Sequence, residues 1–203
     1  MKNYLPFFIV FCSVILFPFS TFSQTNSSFG SVSGTLNYNN SKNTPICNSE
    51  VVLYSDDLSS INTTVTDLTG HYKFDSIPNG AYKINAYTKL NWGGATSIDI
   101  TYYKNCIGAL PGYLLSGLKL RSGDVNGSNY LTSTDITLIK KKIGNPKSSE
   151  YFANGEWLFD DDYYITISDN DVVYNFKGQC YGDANGSYIP QNDASYYEIK
   201  DLV

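Results

Sequence analysis

Two periodicities divide the chain. From residue 31 to 88, apolar and polar residues alternate in short runs: SVSGTLNY, SEVVLYS, INTTVTD, HYKFDSI and AYKINAY. Turn formers separate them, at 39–44 and in DDLSS, LTG and PNG. Period-two alternation sends one set of side chains to each face of a strand, and short strands broken by Gly, Pro and Asn predict a small β-sandwich. After residue 96 the period becomes helical. Ile100, Tyr103 and Ile107 recur at helical spacing, and so do Ile136, Ile139 and Ile143. Each run has an Asp near its start and a Gly at its stop, as helix ends favour. The two runs are copies. TSIDITYYKNCIG at 96–108 and TSTDITLIKKKIG at 132–144 lie 36 residues apart and agree at eight of thirteen positions. Alternation returns at 156–177, in GEWLF, YYITI and DVVYNFKG around an SDND turn. This stretch predicts a short strand and a β-hairpin inserted into the second unit.

The second helical run carries candidate chemistry at its start. In the loop from Asp124 to Asp135, oxygen-bearing side chains stand at positions 1, 3, 5, 9 and 12: Asp124, Asn126, Ser128, Thr132 and Asp135. The carbonyl of Tyr130 falls at position 7. This is the ligand spacing of a twelve-residue calcium loop, since calcium takes six or more hard oxygen ligands. Position 6 is Asn129, which tolerates the left-handed backbone that a Gly usually supplies there. Position 12 is Asp rather than the bidentate Glu, and no helix is expected before the loop. The competing reading is a polar Asn-Gly turn followed by a helix N-cap.

The first helical copy lacks the front of such a loop. Counting back from Asp99, positions 1, 3 and 5 are Thr88, Leu90 and Trp92. The missing front recurs later: GDANGS at 182–187 nearly repeats GDVNGS at 123–128, with Asp183, Asn185 and Ser187 at positions 1, 3 and 5. Its own position 12 is Ala194, which offers no ligand. Two readings stay open. The halves complete each other, with Thr96 and Asp99 as the back of a split site, or both are relics and GDANGS is an ordinary turn.

The loop–helix repeat resembles the dockerin modules, in which a calcium loop is followed by a single helix. The resemblance implies two packed helices, bound Ca2+, and an exported cohesin-like partner that reads exposed helix positions, with the Lys140–Lys142 face as a candidate. The first unit has a resemblance of its own. Its VSGTL, TP, VVLY, TDLTGHYKF and IPNGAYKI segments look like the transthyretin-like sandwich of carboxypeptidase regulatory-like and Cna-B-like domains. That resemblance implies Tyr72, Phe74 and Tyr82 as core aromatics and Gly70 and Gly80 as turn positions. No Lys stands clearly on the first strand, so an isopeptide cross-link is not expected.

Composition narrows the functions. The 203 residues carry 14 Lys and Arg against 19 Asp and Glu, a net charge of −5. The only basic run is Lys140–Lys142, expected as a solvated helix face, so nucleic acid is not an expected partner. The start, MKNYLPFFIVFCSVILFPFSTFSQ, has the layout of a signal peptide (1–24) with cleavage near Ser23 or Gln24 and no membrane span afterwards. Cys12 leaves with it. Cys47, Cys106 and Cys180 then allow at most one internal disulfide, with Cys106–Cys180 or a pair using Cys47 as the options. Asp160–Asp162 are expected as solvated charge.

The expected organisation is a mainly β chain with a small α part. Residues 1–24 are a signal peptide, 25–30 a linker, 31–88 the transthyretin-like sandwich and 89–190 the dockerin-like two-helix calcium domain with its β-hairpin insertion. Residues 191–203 are a tail or the start of a further domain, as in a truncated member or a fragment. His71, the only histidine, lies in no nucleophile motif and is expected on a strand surface. The carboxylates are committed to turns, so no paired-acid catalytic cleft is expected. The expected role is a secreted, non-catalytic, calcium-stabilised surface or adhesin-type module that acts as spacer or docking unit. The alternative is a carbohydrate-binding accessory module in which Trp92 and Trp157 stack on a surface glycan.

Overall fold

A computed structural model describes residues 28–55, 60–160 and 163–191. The signal peptide, the first half of the linker, residues 56–59 of the DDLSS turn, Asp161, Asp162 and nearly all of the 191–203 tail lie outside the described residues. The alternating runs form β1 (Phe29–Tyr38), β2 (Glu50–Tyr54), β3 (Ser60–Val65), β4 (His71–Pro78) and β5 (Gly80–Tyr87). Then come α1 (Ser97–Ile107), α2 (Gly117–Arg121) and α3 (Ser133–Gly144). The last four strands are β6 (Trp157–Phe159), β7 (Tyr163–Ile167), β8 (Val172–Val173) and β9 (Phe176–Cys180).

The strands make two sheets. One has the order β4-β1-β9-β6, with β8 also on β1; the other has the order β3-β2-β5-β7. Their facing sides form one core. Val32, Leu36 and Tyr38 alternate inward along β1 and meet Tyr72, Phe74 and Phe176, opposite Val51, Leu53, Ile84, Ile165 and Ile167. Tyr72, Phe74 and Tyr82 are buried, as the sandwich resemblance implied, and Gly70 turns at φ +75°. His71 is exposed at the start of β4.

The late strands do not form the hairpin expected inside the second unit. β7 runs antiparallel to β5, β9 runs parallel to β1 and antiparallel to β6, and β8 runs parallel to β1. Residues 157–180 therefore complete both layers of the sandwich, and the helices leave it after β5 and return at β6. The reason is that β1 and β5 have alternating faces with free edges, and pairing there satisfies main-chain groups that a lone two-stranded ribbon leaves to water.

The helices build a second core. Ile100, Tyr103, Ile136 and Ile139 meet Leu118, Val125, Phe152, Leu158 and Tyr181. Trp92 packs against both cores and joins them. Ile107, the last of the expected helix-face residues, is exposed. The Lys run is not uniformly solvated either. Lys142 is 1% exposed, with its ammonium on Glu156 and the Ser148 carbonyl, over the rings of Trp92 and Phe152. Its stem lies on the buried stripe of α3 beside Ile139, which favours covering it. Only Lys140 and Lys141 remain on the outer face. The short helix α2 precedes the 124–135 loop, contrary to the expectation of none.

Candidate metal centre

The loop from Asp124 closes on the start of α3 through its own oxygens. Asp124 Oδ1 accepts from the Ser128 N–H at 2.9 Å and the Ser128 hydroxyl at 3.3 Å, and Oδ2 accepts from the Asn129 N–H at 2.7 Å. Asn126 Oδ1 also accepts from the Ser128 N–H, at 2.9 Å. The turn needs a left-handed backbone at Gly127 (φ +71°) and Asn129 (φ +68°), and short polar side chains such as Asn tolerate that region best after Gly. Asp135 then reaches back from the first turn of α3. Its Oδ1 accepts from the Asn126 N–H at 3.1 Å, and its Oδ2 from the Thr132 N–H at 2.9 Å and the Thr132 hydroxyl at 2.7 Å. The Ser128 hydroxyl meets the Tyr130 carbonyl at 3.1 Å. All six sequence-predicted residues, Asp124, Asn126, Ser128, Tyr130, Thr132 and Asp135, thus belong to one closed loop.

The split segments come together as well. β9 delivers GDANGS to the N-terminus of α1. The Asn185 N–H donates to Asp99 Oδ1 at 3.1 Å. Asp99 Oδ2 accepts from the Thr96 N–H and the Thr96 hydroxyl, both at 2.8 Å. Asp183 Oδ1 accepts from the Gly186 N–H at 2.9 Å and the Ser187 N–H at 3.0 Å, and Oδ2 from the Tyr188 N–H at 3.1 Å. The Ser187 hydroxyl faces the Gly94 carbonyl at 3.4 Å. Thr96, Asp99, Asp183, Asn185 and Ser187 therefore share one cluster.

Two residues of this cluster carry no sequence signal. Gly94 takes the place that Tyr130 holds in the first loop, two residues before the Thr; it offers only a main-chain carbonyl, which no side-chain pattern marks. Tyr38, from the sandwich, donates its hydroxyl to Asp183 Oδ2 at 2.7 Å and accepts the Cys180 N–H at 3.0 Å. No pattern within β1 discloses a partner 145 residues away. The Gln179 side-chain amide also donates to the Asp183 carbonyl.

The electrostatics follow from burial. Asp99 and Asp135 are fully buried, as is Asp183. Burial raises the Asp99 carboxyl above the usual carboxylate range, against hydrogen bonds from Thr96 and Asn185 that lower it, and the Asp183 charge adds to the rise. Burial likewise lifts the Tyr38 phenol and the Cys180 thiol well above their ordinary values. Cys47, Cys106 and Cys180 are all free thiols, so neither expected disulfide pairing is formed.

The donor sets suit a hard cation. Each loop contributes two carboxylates plus amide, hydroxyl and carbonyl oxygens, while among the described residues no three His, Cys, Asp or Glu side chains converge. A carboxylate has about four acceptor sites. Asp124, Asp135 and Asp99 each accept three donors here. Among the described residues one buried side-chain oxygen or nitrogen has no hydrogen-bond partner, and it is Asn185 Oδ1.

The two tryptophans are placed for packing. Trp92 Nε1 donates to the Tyr181 carbonyl at 2.7 Å and Trp157 Nε1 to the Leu90 carbonyl at 2.9 Å. Trp157 also lies edge-on to Tyr38 at 5.6 Å. Asp160 Oδ2 accepts from the Lys177 N–H at 2.6 Å and holds the strand at the end of β6.

No family model matches the chain, and no curated protein matches it. Among solved structures, the Bacillus anthracis TIE protein is similar at 11% identity and a TM-score of 0.38, over 75% of this chain and 17% of that one. BcpA, the major pilin subunit of Bacillus cereus, is similar at 13% identity and a TM-score of 0.39, over 75% of this chain and 30% of that one. A 9R-lipoxygenase from Cyanothece PCC8801 overlaps 32% of this chain and 12% of its own, at 16% identity and a TM-score of 0.23. The chain spans less than a third of the length of each. Likeness at this level carries no argument about activity or partner. Among the described residues no helix is long and apolar enough to cross a membrane.

Proposed function

We propose that the chain is an exported, non-catalytic surface module whose helical part is stabilised by calcium, and that it works as a spacer or docking unit. The observation that carries the reading is the closed loop 124–135, in which Asp124, Asn126, Ser128, Thr132 and Asp135 are tied together by side-chain and main-chain hydrogen bonds around a left-handed turn. These side chains, with the Tyr130 carbonyl, would hold Ca2+. The ion would supply positive charge to two carboxylates of which one, Asp135, is fully buried. An ion that binds the folded loop and not the unfolded chain stabilises by mass action, and extracellular calcium is plentiful enough for weak sites to fill.

A docking partner, cohesin-like or otherwise, would meet the outer face of α3, where Lys140 and Lys141 are exposed. The glycan reading has less support, because both tryptophan N–H groups are spent on main-chain carbonyls. The test is a thermal melt of the mature chain in calcium and in chelator, alone and as Asp135→Asn. Calcium should raise the midpoint of the wild type and raise it less in the variant. A wild-type midpoint identical in calcium and chelator would sink the reading.

A further inference from the structure

We propose that residues 94–99 and 183–187 form a second calcium-type site, built from two distant stretches of chain, and that a cation there straps the start of α1 to the end of β9. The proposal rests on the calcium reading of the first loop and extends it to a site with a different mechanical role.

The two clusters share one plan. In each, the Asn N–H at position 3 donates to Oδ1 of the helix Asp, at 3.1 Å in both. The Thr N–H and hydroxyl at position 9 donate to its Oδ2 at 2.7–2.9 Å. The N–H groups of positions 5 and 6 donate to the two oxygens of the leading Asp. The Ser at position 5 faces the carbonyl of position 7, Tyr130 in one and Gly94 in the other. A contiguous loop has been reproduced by a pair of segments whose bridging residues stand 86 apart.

Shared hydrogen bonds alone describe a turn. The independent observation is Asn185 Oδ1, buried and without a partner. Its counterpart, Asn126 Oδ1, accepts the Ser128 N–H. Asp124 shares that N–H, whereas in the split cluster the equivalent N–H, on Ser187, goes to Asp183 alone, and the amide oxygen is left for another partner. Its residue stands two positions after Asp183 and donates its N–H to Asp99; both carboxylates are fully buried, and their donors among the described residues are all uncharged. A buried, unpartnered amide oxygen on the residue whose N–H ties one buried carboxylate to the loop of another belongs to an oxygen set that lacks a positive charge. Asp183 already receives four donors, so a cation there displaces one of them. The composite site is therefore the weaker of the two.

Its role differs because of what it joins. The 124–135 site closes one loop onto its own helix. The composite site joins α1 to the strand β9, and through Tyr38 on Asp183 it touches β1. Filling it would fasten the helical excursion to the sandwich.

Calorimetric titration with calcium chloride and native mass spectrometry of the mature chain test the proposal, using wild type, Asp135→Asn, Asp99→Asn and Asn185→Ala. Wild type should bind two equivalents. Asp135→Asn should lose the tighter one and Asp99→Asn the weaker one. Asn185→Ala removes the orphaned oxygen without breaking a hydrogen bond. It should fold as well as wild type in chelator, yet bind the weaker equivalent about tenfold or more less tightly. The last variant decides even if Asp99→Asn does not fold. One wild-type equivalent, lost only in Asp135→Asn, would overturn the composite site and leave the first loop standing, as would an unchanged weaker equivalent in Asn185→Ala. No bound calcium in wild type would overturn both.

Discussion

The main-chain N–H of Asn185 meets the Asp99 carboxylate at 3.1 Å across 86 residues of sequence. Asn126 makes the same bond to Asp135 at the same distance across nine. The chain thus spends one local solution, a polar loop seated on a helix start, twice with different connectivity. On the proposed calcium reading, removing a cation from the contiguous copy would free one loop, and removing it from the split copy would free the attachment between two cores, because the cluster follows directly on β9.

Calcium should therefore change protection as well as midpoint. At a free concentration about a hundred times its dissociation constant, one site adds about 2.7 kcal/mol. For a chain of this size that is roughly 5–10 °C in Tm. Hydrogen exchange should show added protection in calcium over 124–136 and, at higher concentration, over 94–103 and 183–188. Exchange that slows only in the first segment would mean that the attachment does not depend on the ion.

Tyr38→Phe probes that attachment from the sandwich side. The hydroxyl serves a buried carboxylate and a buried N–H together, on Asp183 and Cys180. Deleting one partner of a buried hydrogen bond costs about 1–3 kcal/mol, and here the Cys180 N–H loses this acceptor while Asp183 keeps three of its four donors. Urea unfolding in chelator should show a loss within that range. Tyr164→Phe is the control: its ring is exposed on β7, and the change should cost less.

Much of this architecture is legible in the order of residues alone. β1, β4 and β5 follow from alternation, because each has one buried face, while β2 and β3 follow from apolar and β-branched runs set between turn formers. α1 and α3 follow from the 36-residue repeat, because a helix that buries Ile100 and Tyr103 must show their spacing. The joining of 183–187 to 96–99 is reachable by counting, since each half lacks what the other has. The pairing of 157–180 is not, because β6 has three residues and β8 two, too few for a period, and their partners lie more than a hundred residues back for β8 and β9. Lys142 is hidden in a run of three identical residues, where only the packed helix separates the buried one from its neighbours. Gly94 acts through a carbonyl that every residue possesses.

Lys142 supplies a third prediction. Its ammonium is covered by Trp92 and Phe152 while Glu156 stays partly open to water. Breaking a buried pair by removing one partner costs about 3–5 kcal/mol, and the exposure of Glu156 puts this case at the low end. Lys142→Ala should lose that much and open a cavity besides. Lys142→Met keeps the stem against Ile139 and lets Glu156 hydrate, so it should lose less. Equal losses in urea unfolding would show that the charge, rather than the packing of the stem, carries the effect.

Acid should loosen the sandwich through three surface carboxylates. Asp67 is held below the usual carboxylate range by the Thr69 hydroxyl and then by the His71 and Thr69 N–H groups. Asp171 is lowered by the Ser31 hydroxyl and N–H, and Asp169 by Ser28 and Asn79. Each folded value lies below the unfolded one, so the folded state binds fewer protons. Their contribution is complete above the unfolded value near pH 3.9 and is lost as pH falls through the lowered folded values. Urea midpoints measured in chelator should drop below about pH 4, and Asp67→Asn should flatten that drop while lowering the neutral midpoint. A profile unchanged by Asp67→Asn would mean that the turn at 67–71 does not report on global unfolding.

Gly94→Ala isolates the backbone contribution to the composite cluster. Gly94 sits at φ +90°, and a Cβ there would lie 2.6 Å from Asp183 Oδ2 and 2.6 Å from Tyr188 Cβ. Gly112, in the connection between α1 and α2, has φ +83°, and a Cβ there would meet nothing within 4 Å. An Ala at either position takes the left-handed penalty of about 1–2 kcal/mol. Only at Gly94 must the Asp183 carboxylate move as well. In chelator, Gly94→Ala should therefore be the less stable of the two. In calcium the gap should widen, because Gly112→Ala keeps both increments of stabilisation and Gly94→Ala keeps only that of the 124–135 loop. A gap that stays constant with calcium would show that the close approach of Gly94 to Asp183 serves packing alone.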